Sequence, residues 1–148
     1  MRESVRPAHI DDAAVMVLLE AKASAFPWKE SHYLESLNNR NHHSYLLQEN
    51  GCIHGLLVFS RIVDEVELLN VAVDPAYQGQ GKGGRLVDFL INENRNLARH
   101  IFLEVRETNT PAIALYSKRG FAICGRRKHY YPTTVGREDA LIMNYDYE

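Results

Sequence analysis

The chain has few cysteines, no long apolar run and no surplus of basic residues. Cys52 and Cys124 lie far apart and outside any CxxC or Cys/His pattern, so we expect two reduced, buried thiols and no disulfide framework or zinc site. No apolar run approaches the roughly 20 residues of a membrane-spanning helix, and the polar N-terminus lacks the apolar core of a signal peptide. These absences predict a cytoplasmic protein without membrane association.

The charge balance argues against nucleic acid as a partner. Seventeen basic and 19 acidic residues give a net charge of −2, whereas binding to a phosphate backbone depends on a basic surplus. His42 and His43 lie in a polar segment and are expected to be solvated rather than metal ligands. We therefore predict no bound metal and no nucleic-acid partner.

Length and pattern predict one mixed α/β domain over residues 1–148. The chain is 45% hydrophobic, which is ordinary for a globular domain of 148 residues. The predicted helices are 12 to about 25, 29–37, 81 to about 98 and 111–119. The predicted strands are 5–7, 44–48, 53–62, 67–73, 101–105, 121–130 and 140–145, with Gly55 marking a bulge or a close approach in the third of them.

The most informative segment is a glycine-rich loop between the strand ending at Val73 and the following helix. Glycines uncover backbone N–H groups and permit unusual φ angles, and a helix N-terminus attracts anions, so phosphate is the expected guest. Gly79, Gly81 and Gly84 also match the dinucleotide pattern GxGxxG, but five residues separate the strand from the first glycine and too few elements follow. A P-loop fails because Gly83 follows Lys82, where serine or threonine is needed. A helix start without a ligand stays open as a third interpretation.

The loop Gln78-x-x-Gly81-x-Gly83 resembles the pyrophosphate-binding loop of the GCN5-related N-acetyltransferases, the GNAT family. The segment from Asn109 to Phe121 resembles a second motif of that family. The segments 25–28, 103–106, 130–134 and 136–140 resemble, more narrowly, the bacterial members that acetylate the N-terminal alanine of a small-subunit ribosomal protein. The resemblance covers nearly the whole chain. It implies a partly splayed sheet flanked by helices, and acetyl-CoA as the co-substrate.

The resemblance also implies which residues bind acetyl-CoA. The main chain of the strand before the loop would hold the pantetheine arm, and Asn109 would contact it. The glycine loop would hold the pyrophosphate. The implied set is Val71, Ala72, Val73, Gln78, Gly79, Gln80, Gly81, Lys82, Gly83, Gly84 and Asn109.

Two side chains are candidates for proton transfer. On the strand 101–105, Glu104 shares a face with Phe102, so position alone allows a solvated charge at the strand end or a carboxylate in a partly apolar cleft. The resemblance favours the cleft and implies that Glu104 is the base. Tyr116 shares a helical face with Ala112 and Ile113, so its position alone predicts a core tyrosine. The resemblance implies that Tyr116 lies near the sulfur of CoA and acts as the acid.

The acceptor is expected to be the N-terminal amine of a ribosomal protein. Trp28, Glu67, Tyr130 and Tyr131 are the candidate acceptor-binding residues, and the acidic cluster of Asp64, Glu65 and Glu67 would attract a basic peptide. Alternatives within the family are another protein N-terminus, a lysine or a small amine. A non-catalytic acyl-CoA-binding protein is the alternative from another class.

Overall fold

The computed structural model describes residues 2–148, which form one seven-stranded sheet covered on both faces by helices. The strands are β1 (Glu3–Pro7), β2 (His42–Glu49), β3 (Cys52–Ile62), β4 (Glu65–Val73), β5 (His100–Arg106), β6 (Ala122–Pro132) and β7 (Arg137–Asp146). The helices are α1 (Ala13–Ala23), α2 (Glu30–Asn38), α3 (Lys82–Glu93) and α4 (Thr110–Lys118). Within residues 2–148, no helix is long and apolar enough to span a membrane.

The sheet divides into two antiparallel halves that meet at one parallel pair. The strand order is β1-β2-β3-β4-β5-β7-β6, and β4 and β5 form the parallel pair. This pair holds over three positions, Glu65 with His100, Val66 with Ile101 and Glu67 with Phe102. Beyond them β4 stays paired with β3 and β5 with β7, so the halves separate into a cleft. The mixed, partly splayed sheet expected from the sequence is confirmed.

A bulge in β4 lies just past the point where the halves separate. Val58 of β3 pairs with Asn70 and Phe59 pairs with Leu68, so Leu69 is the extra residue of β4. A bulge bends its strand and increases the local twist. It therefore turns the end of β4 away from β5 and widens the cleft.

Each face of the sheet has its own hydrophobic core. Successive residues of β3 point to opposite faces, so Leu56 and Val58 pack under α1 and α2, whereas Leu57 and Phe59 pack under α3 and α4. Burial on both faces explains the near-continuous apolar sequence of β3. Packing from both sides holds the two halves of the sheet in place although few hydrogen bonds join them.

Three sequence expectations need correction. Helix α3 ends at Glu93 rather than near Ala98, because Asn94 is fully buried and Asn96 adopts a left-handed φ of 72°, which a helix cannot continue. Cys52 and Cys124 are both exposed rather than buried. Cys52 follows a hairpin turn, and Cys124 is the extra residue of a register shift in the edge strand β6.

Gly55 combines the two roles that the sequence allowed for it. His54 is the extra residue of a bulge against β2, and Gly55 directly follows it. A Cβ added at Gly55 would lie 3.0 Å from Cδ1 of Leu86 and 3.1 Å from the carbonyl oxygen of Ala72. The missing side chain therefore lets α3 pack closely on β3 and β4.

We predict that Gly55→Ala lowers the free energy of unfolding by about 1–3 kcal/mol, the usual cost of overpacking a core. Gly83→Ala is the matched control, because its Cβ would lie at an ordinary 3.5 Å from Leu115 and alanine favours the helix. Urea unfolding followed by circular dichroism measures both variants. Equal stability of Gly55→Ala and the unmutated protein would contradict the close approach.

Candidate active site

The glycine loop connects β4 to α3 and presents main-chain N–H groups to solvent. Asp74 begins a single 3₁₀ turn over Pro75–Tyr77 by accepting a hydrogen bond from the N–H of Ala76 at 3.0 Å. The side chain of Gln78 donates to the carbonyl oxygen of Val73 at 3.1 Å and so folds the loop back onto β4. Gly79 and Gly81 have φ angles of 79° and 78°, a conformation that other residues rarely adopt.

Gly81 is the N-cap residue of α3, and no side chain in the described chain caps this end of the helix. The first N–H groups of a helix need partners, and together with the helix dipole they favour an anion. Because α3 spans 12 residues, its N-terminus carries a full helix dipole. The loop therefore fits a phosphate group.

The side chain of Lys82 forms ion pairs within the protein. It is buried, and its ammonium lies 2.7 Å from Glu3 and 3.3 Å from Glu49. Hydrogen bonds to these carboxylates raise the pKa of Lys82. The charge of Lys82 therefore joins α3 to β1 and β2, and its main-chain N–H group stays a candidate contact for the anion.

Gly84 has a packing role that the sequence did not reveal. A Cβ at this position would overlap the guanidinium of Arg119, which donates to the carbonyl oxygen of Gly84 at 3.2 Å and pairs with Asp88. The second of the two adjacent glycines therefore lets the end of α4 dock on α3. Both glycines line the larger of the two clefts described next.

Two clefts meet where β4 and β5 separate. One, of about 610 Å³, runs along the glycine loop and the main chain of β4 from Asn70 to Val73. The other, of about 210 Å³, lies between β5 and the α1–α2 connection. Residues shared by both linings mark the junction, namely Glu20, Ser24, Asn70, Val71, Asn109 and Tyr116.

Glu104 and Tyr116 both line the smaller cleft. The carboxylate of Glu104 is largely buried, and its Oε2 lies 3.1 Å from Nε of Arg127 on β6. Burial raises the pKa of Tyr116, and the Tyr131 phenol adds to the shift, so the Tyr116 hydroxyl keeps its proton at neutral pH. The smaller cleft thus holds a carboxylate that can take a proton and a phenol that can give one.

Two of the four candidate acceptor-binding residues face the smaller cleft. Trp28 and Tyr131 line it, whereas Tyr130 is exposed and packs edge-on against Tyr131 at 5.0 Å. Glu67 is half-buried on β4. Its pKa is raised by burial and by the charge of Glu104, so these two carboxylates are close enough to repel.

The rest of the acidic cluster lies away from the cleft. Asp64 lies 3.8 Å from Arg99, and Glu65 lies 3.6 Å from His100, at the end of β4 where it pairs with β5. The expected acidic rim is therefore reduced to Glu67 and Glu104.

Sequence reasoning missed a buried carboxylate at the junction of the clefts. Oε1 of Glu20 accepts hydrogen bonds from the hydroxyl of Tyr33 at 2.5 Å and from the N–H of Trp28 at 3.0 Å. The Tyr33 hydroxyl also accepts from the side-chain amide of Asn70 at 3.0 Å. This network connects Trp28, which forms part of the wall of the smaller cleft, to the bulged strand β4. Glu20 lies on the apolar stripe of α1, and a charge at such a position was the available signal.

Comparison with known proteins agrees with this geometry. A sequence model of the acetyltransferase (GNAT) family matches residues 13–121. The ribosomal protein bS18-alanine N-acetyltransferase of Escherichia coli K12 is 43% identical over 127 residues, which is 84% of each chain. The crystal structure of the ribosomal-protein-S18-alanine N-acetyltransferase from Escherichia coli superposes with a TM-score of 0.93 at 36% identity, covering 98% of this chain and 94% of that one.

A distant structural relative shares the fold alone. Arabidopsis thaliana NAA60 in complex with acetyl-CoA is 16% identical and has a TM-score of 0.87, with 98% of each chain covered.

We predict that Tyr33→Phe lowers the free energy of unfolding by about 1–3 kcal/mol, because Glu20 and Asn70 both lose a buried hydrogen-bond partner. Tyr45→Phe is the control, since the described chain offers no hydrogen bond to that hydroxyl. Urea unfolding at neutral pH compares the two variants. If Tyr33→Phe and Tyr45→Phe are equally stable, the network does not hold the junction together.

Proposed function

The chain belongs to the acetyltransferase (GNAT) family, and we propose from this premise that it transfers the acetyl group of acetyl-CoA to the N-terminal α-amine of an alanine-starting ribosomal protein. The observation that carries the proposal is the meeting of two clefts beside Glu104 and Tyr116. The choice of acceptor follows the relatives that are named ribosomal protein bS18-alanine N-acetyltransferases. A ribosomal acceptor would place the reaction in the cytoplasm.

Members of the family bind acetyl-CoA, and the larger cleft has the features that this molecule needs. The N–H groups of the loop from Gln78 to Gly84 and of the first turn of α3 would hold the pyrophosphate. Between Asn70 and Val73, the edge of β4 that faces the cleft is not paired with β5 in the described chain. Its main-chain groups are therefore free to bind the amide groups of the pantetheine arm, with Asn109 alongside.

In the proposed reaction, the acceptor nitrogen bonds to the acetyl carbon and the carbon–sulfur bond breaks. Acetyl-CoA supplies the thioester carbonyl and the thiol leaving group. Glu104 takes the proton that the acceptor ammonium must lose, directly or through one water molecule. Tyr116 donates its hydroxyl proton to the departing sulfur. A main-chain N–H at the β4 bulge would bind the carbonyl oxygen as its negative charge develops.

The smaller cleft suits a terminal α-amine better than a lysine side chain. A terminal amine has a reference pKa of about 7.7–8.0, against about 10.4 for lysine, so one carboxylate suffices to deprotonate it near neutral pH. Trp28 and Tyr131 bound the space beside Glu104 and would favour a small first side chain. The positions of these aromatic walls support an alanine terminus.

We predict that Gly81→Val weakens CoA binding by about tenfold or more, because the branched side chain covers N–H groups that hold the pyrophosphate. Gly51→Val is the matched control, since Gly51 has a similar φ of 81° but lies in the β2–β3 turn. Both variants should lose stability, and calorimetry should show weak CoA binding for Gly81→Val alone. Equal CoA affinity of the two variants would refute the loop assignment.

We predict separate kinetic signatures for the acid and the base. Tyr116→Phe keeps the ring packed on Phe121 and should lower kcat by about 10²–10⁴-fold with little loss of stability. Glu104→Gln should lower the rate most below the pKa of the acceptor amine and progressively less above it. Because the pKa of Tyr116 is raised, kcat of the unmutated enzyme should not fall through loss of the phenol proton below about pH 10.

Steady-state rates from pH 6 to 10 test these signatures, with Glu107→Gln as a control on an exposed carboxylate outside the clefts. Variants of Tyr116 and Glu104 that turn over like the unmutated enzyme across that range would remove both residues from the mechanism.

A further inference from the structure

The candidate base is already in contact with a cation of the protein itself. Arg127 on β6 lies opposite Ala140 of β7, and Glu104 on β5 lies opposite Ile142 of β7. These positions share one face of the sheet, so the long side chain of Arg127 reaches across β7 to Oε2 of Glu104 at 3.1 Å. This oxygen is buried and accepts no well-aligned hydrogen bond from residues 2–148. The contact is therefore a purely ionic one.

Glu104 and Glu67 are neighbouring carboxylates, and one cation, Arg127, acts on both of them. The charge of Glu104 raises the pKa of Glu67, and the charge of Arg127 lowers it. With both carboxylates ionised, Arg127 neutralises one of the two charges. This pair of carboxylates therefore keeps a negative charge that favours a cationic acceptor.

Arg127 is the member of this group that can move. Its side chain is 55% exposed, against 15% for Glu104, which lies in an interior strand. Three residues of β6 (128–130) lie opposite one residue of β7 next to Arg127, and His129 has a left-handed φ of 54°. The guanidinium also lies 5.4 Å from the ring of Tyr130, an alternative partner at the surface. Arg127 can therefore leave Glu104 without uncovering a core.

We propose that Arg127 is a resident counter-ion of Glu104 that the ammonium of the acceptor displaces on binding. The proposal rests on the proposed function and assigns Arg127 a positioning role, which is to neutralise the carboxylate until the acceptor arrives. Exchange of one cation for another keeps Glu104 paired throughout. A neutral or N-terminally blocked chain end has no charge to exchange, so the ion pair selects for a free amine.

Other ionisable groups around the pair do not replace Arg127. The carboxylate of Glu20 lines the cleft from α1, and Tyr116 and Tyr131 line it as neutral phenols. Arg106, on the same face of β5 as Glu104, is held by Glu138 at 3.0 Å and stacks on Phe26 and Tyr131. Arg127 is the only cation that the described chain places in an ion pair with Glu104.

The kinetic test compares three variants with an alanine-starting peptide whose only cation is its α-amine. For Arg127→Gln we expect the KM for the peptide to fall several-fold, with kcat and the KM for acetyl-CoA within about twofold of the unmutated values. This gain should shrink between pH 6.5 and 9, because the amine becomes neutral. Arg127→Lys keeps the cation and should resemble the unmutated enzyme. Arg126→Gln should also resemble the unmutated enzyme, because the neighbouring Arg126 pairs with Glu107 and Asp139 and not with Glu104.

A spectroscopic test does not depend on turnover. Adding the same peptide without acetyl-CoA should move the NMR signal of the Arg127 Nε–H group toward its position in Glu104→Gln. In Arg127→Gln, the pKa of Glu67 should rise further, since that variant lacks the cation that lowers it.

The outcomes separate the two proposals. A higher KM or a lower plateau kcat in Arg127→Gln, restored by Arg127→Lys, would show that Arg127 binds the acceptor or orients Glu104, and would overturn the exchange. The exchange would also be overturned if the NMR signal of the Arg127 Nε–H group does not move when the peptide saturates the enzyme. An unmutated enzyme without activity on any free amino terminus would refute the proposed function instead, and the titration of Glu67 would still test the resident ion pair.

Discussion

The early separation of β4 and β5 is the constraint on which the rest of the structure depends. Two parallel strands normally stay paired, because a buried N–H or C=O group without a partner is costly. Here the pairing ends after Glu67 and Phe102, and the bulge at Leu69 turns β4 outward. The main chain of β4 then needs another hydrogen-bonding partner. An extended ligand that carries amide groups, such as the pantetheine arm, meets that need.

The two helical layers make this open geometry tolerable. Helices α3 and α4 cover one face of the sheet and α1 and α2 cover the other, so packing joins halves that few hydrogen bonds connect. Buried charged groups also connect the helices to the sheet. Lys82 links α3 to β1 and β2, and Glu20 links α1 to the Trp28 wall and, through Tyr33, to β4. In most of these contacts, a charged group binds two partners. The two interactions offset the desolvation cost of burying the charge.

The local sequence was informative where one segment determines the structure. Alternation on β5 correctly separated Glu104 from the core residues Leu103 and Val105, and the glycines correctly predicted a loop with unusual φ angles before α3. The local sequence did not predict contacts between segments that lie far apart along the chain. The buried environment of Lys82 is made by Glu3 and Glu49, and Arg127 approaches Glu104 only because β7 inserts between β5 and β6. No spacing along the chain encodes such contacts.

We propose that the acceptor is a free N-terminal amine held beside Glu104. Mass spectrometry of two peptides incubated with the enzyme and acetyl-CoA tests this claim most directly. One peptide begins with a free Ala-Arg, and the other has the same sequence with a blocked N-terminus and an internal lysine. We expect a single acetyl group on the first peptide, added more slowly at high salt, and none on the second. Faster acetylation of the lysine peptide would refute an N-terminal acceptor.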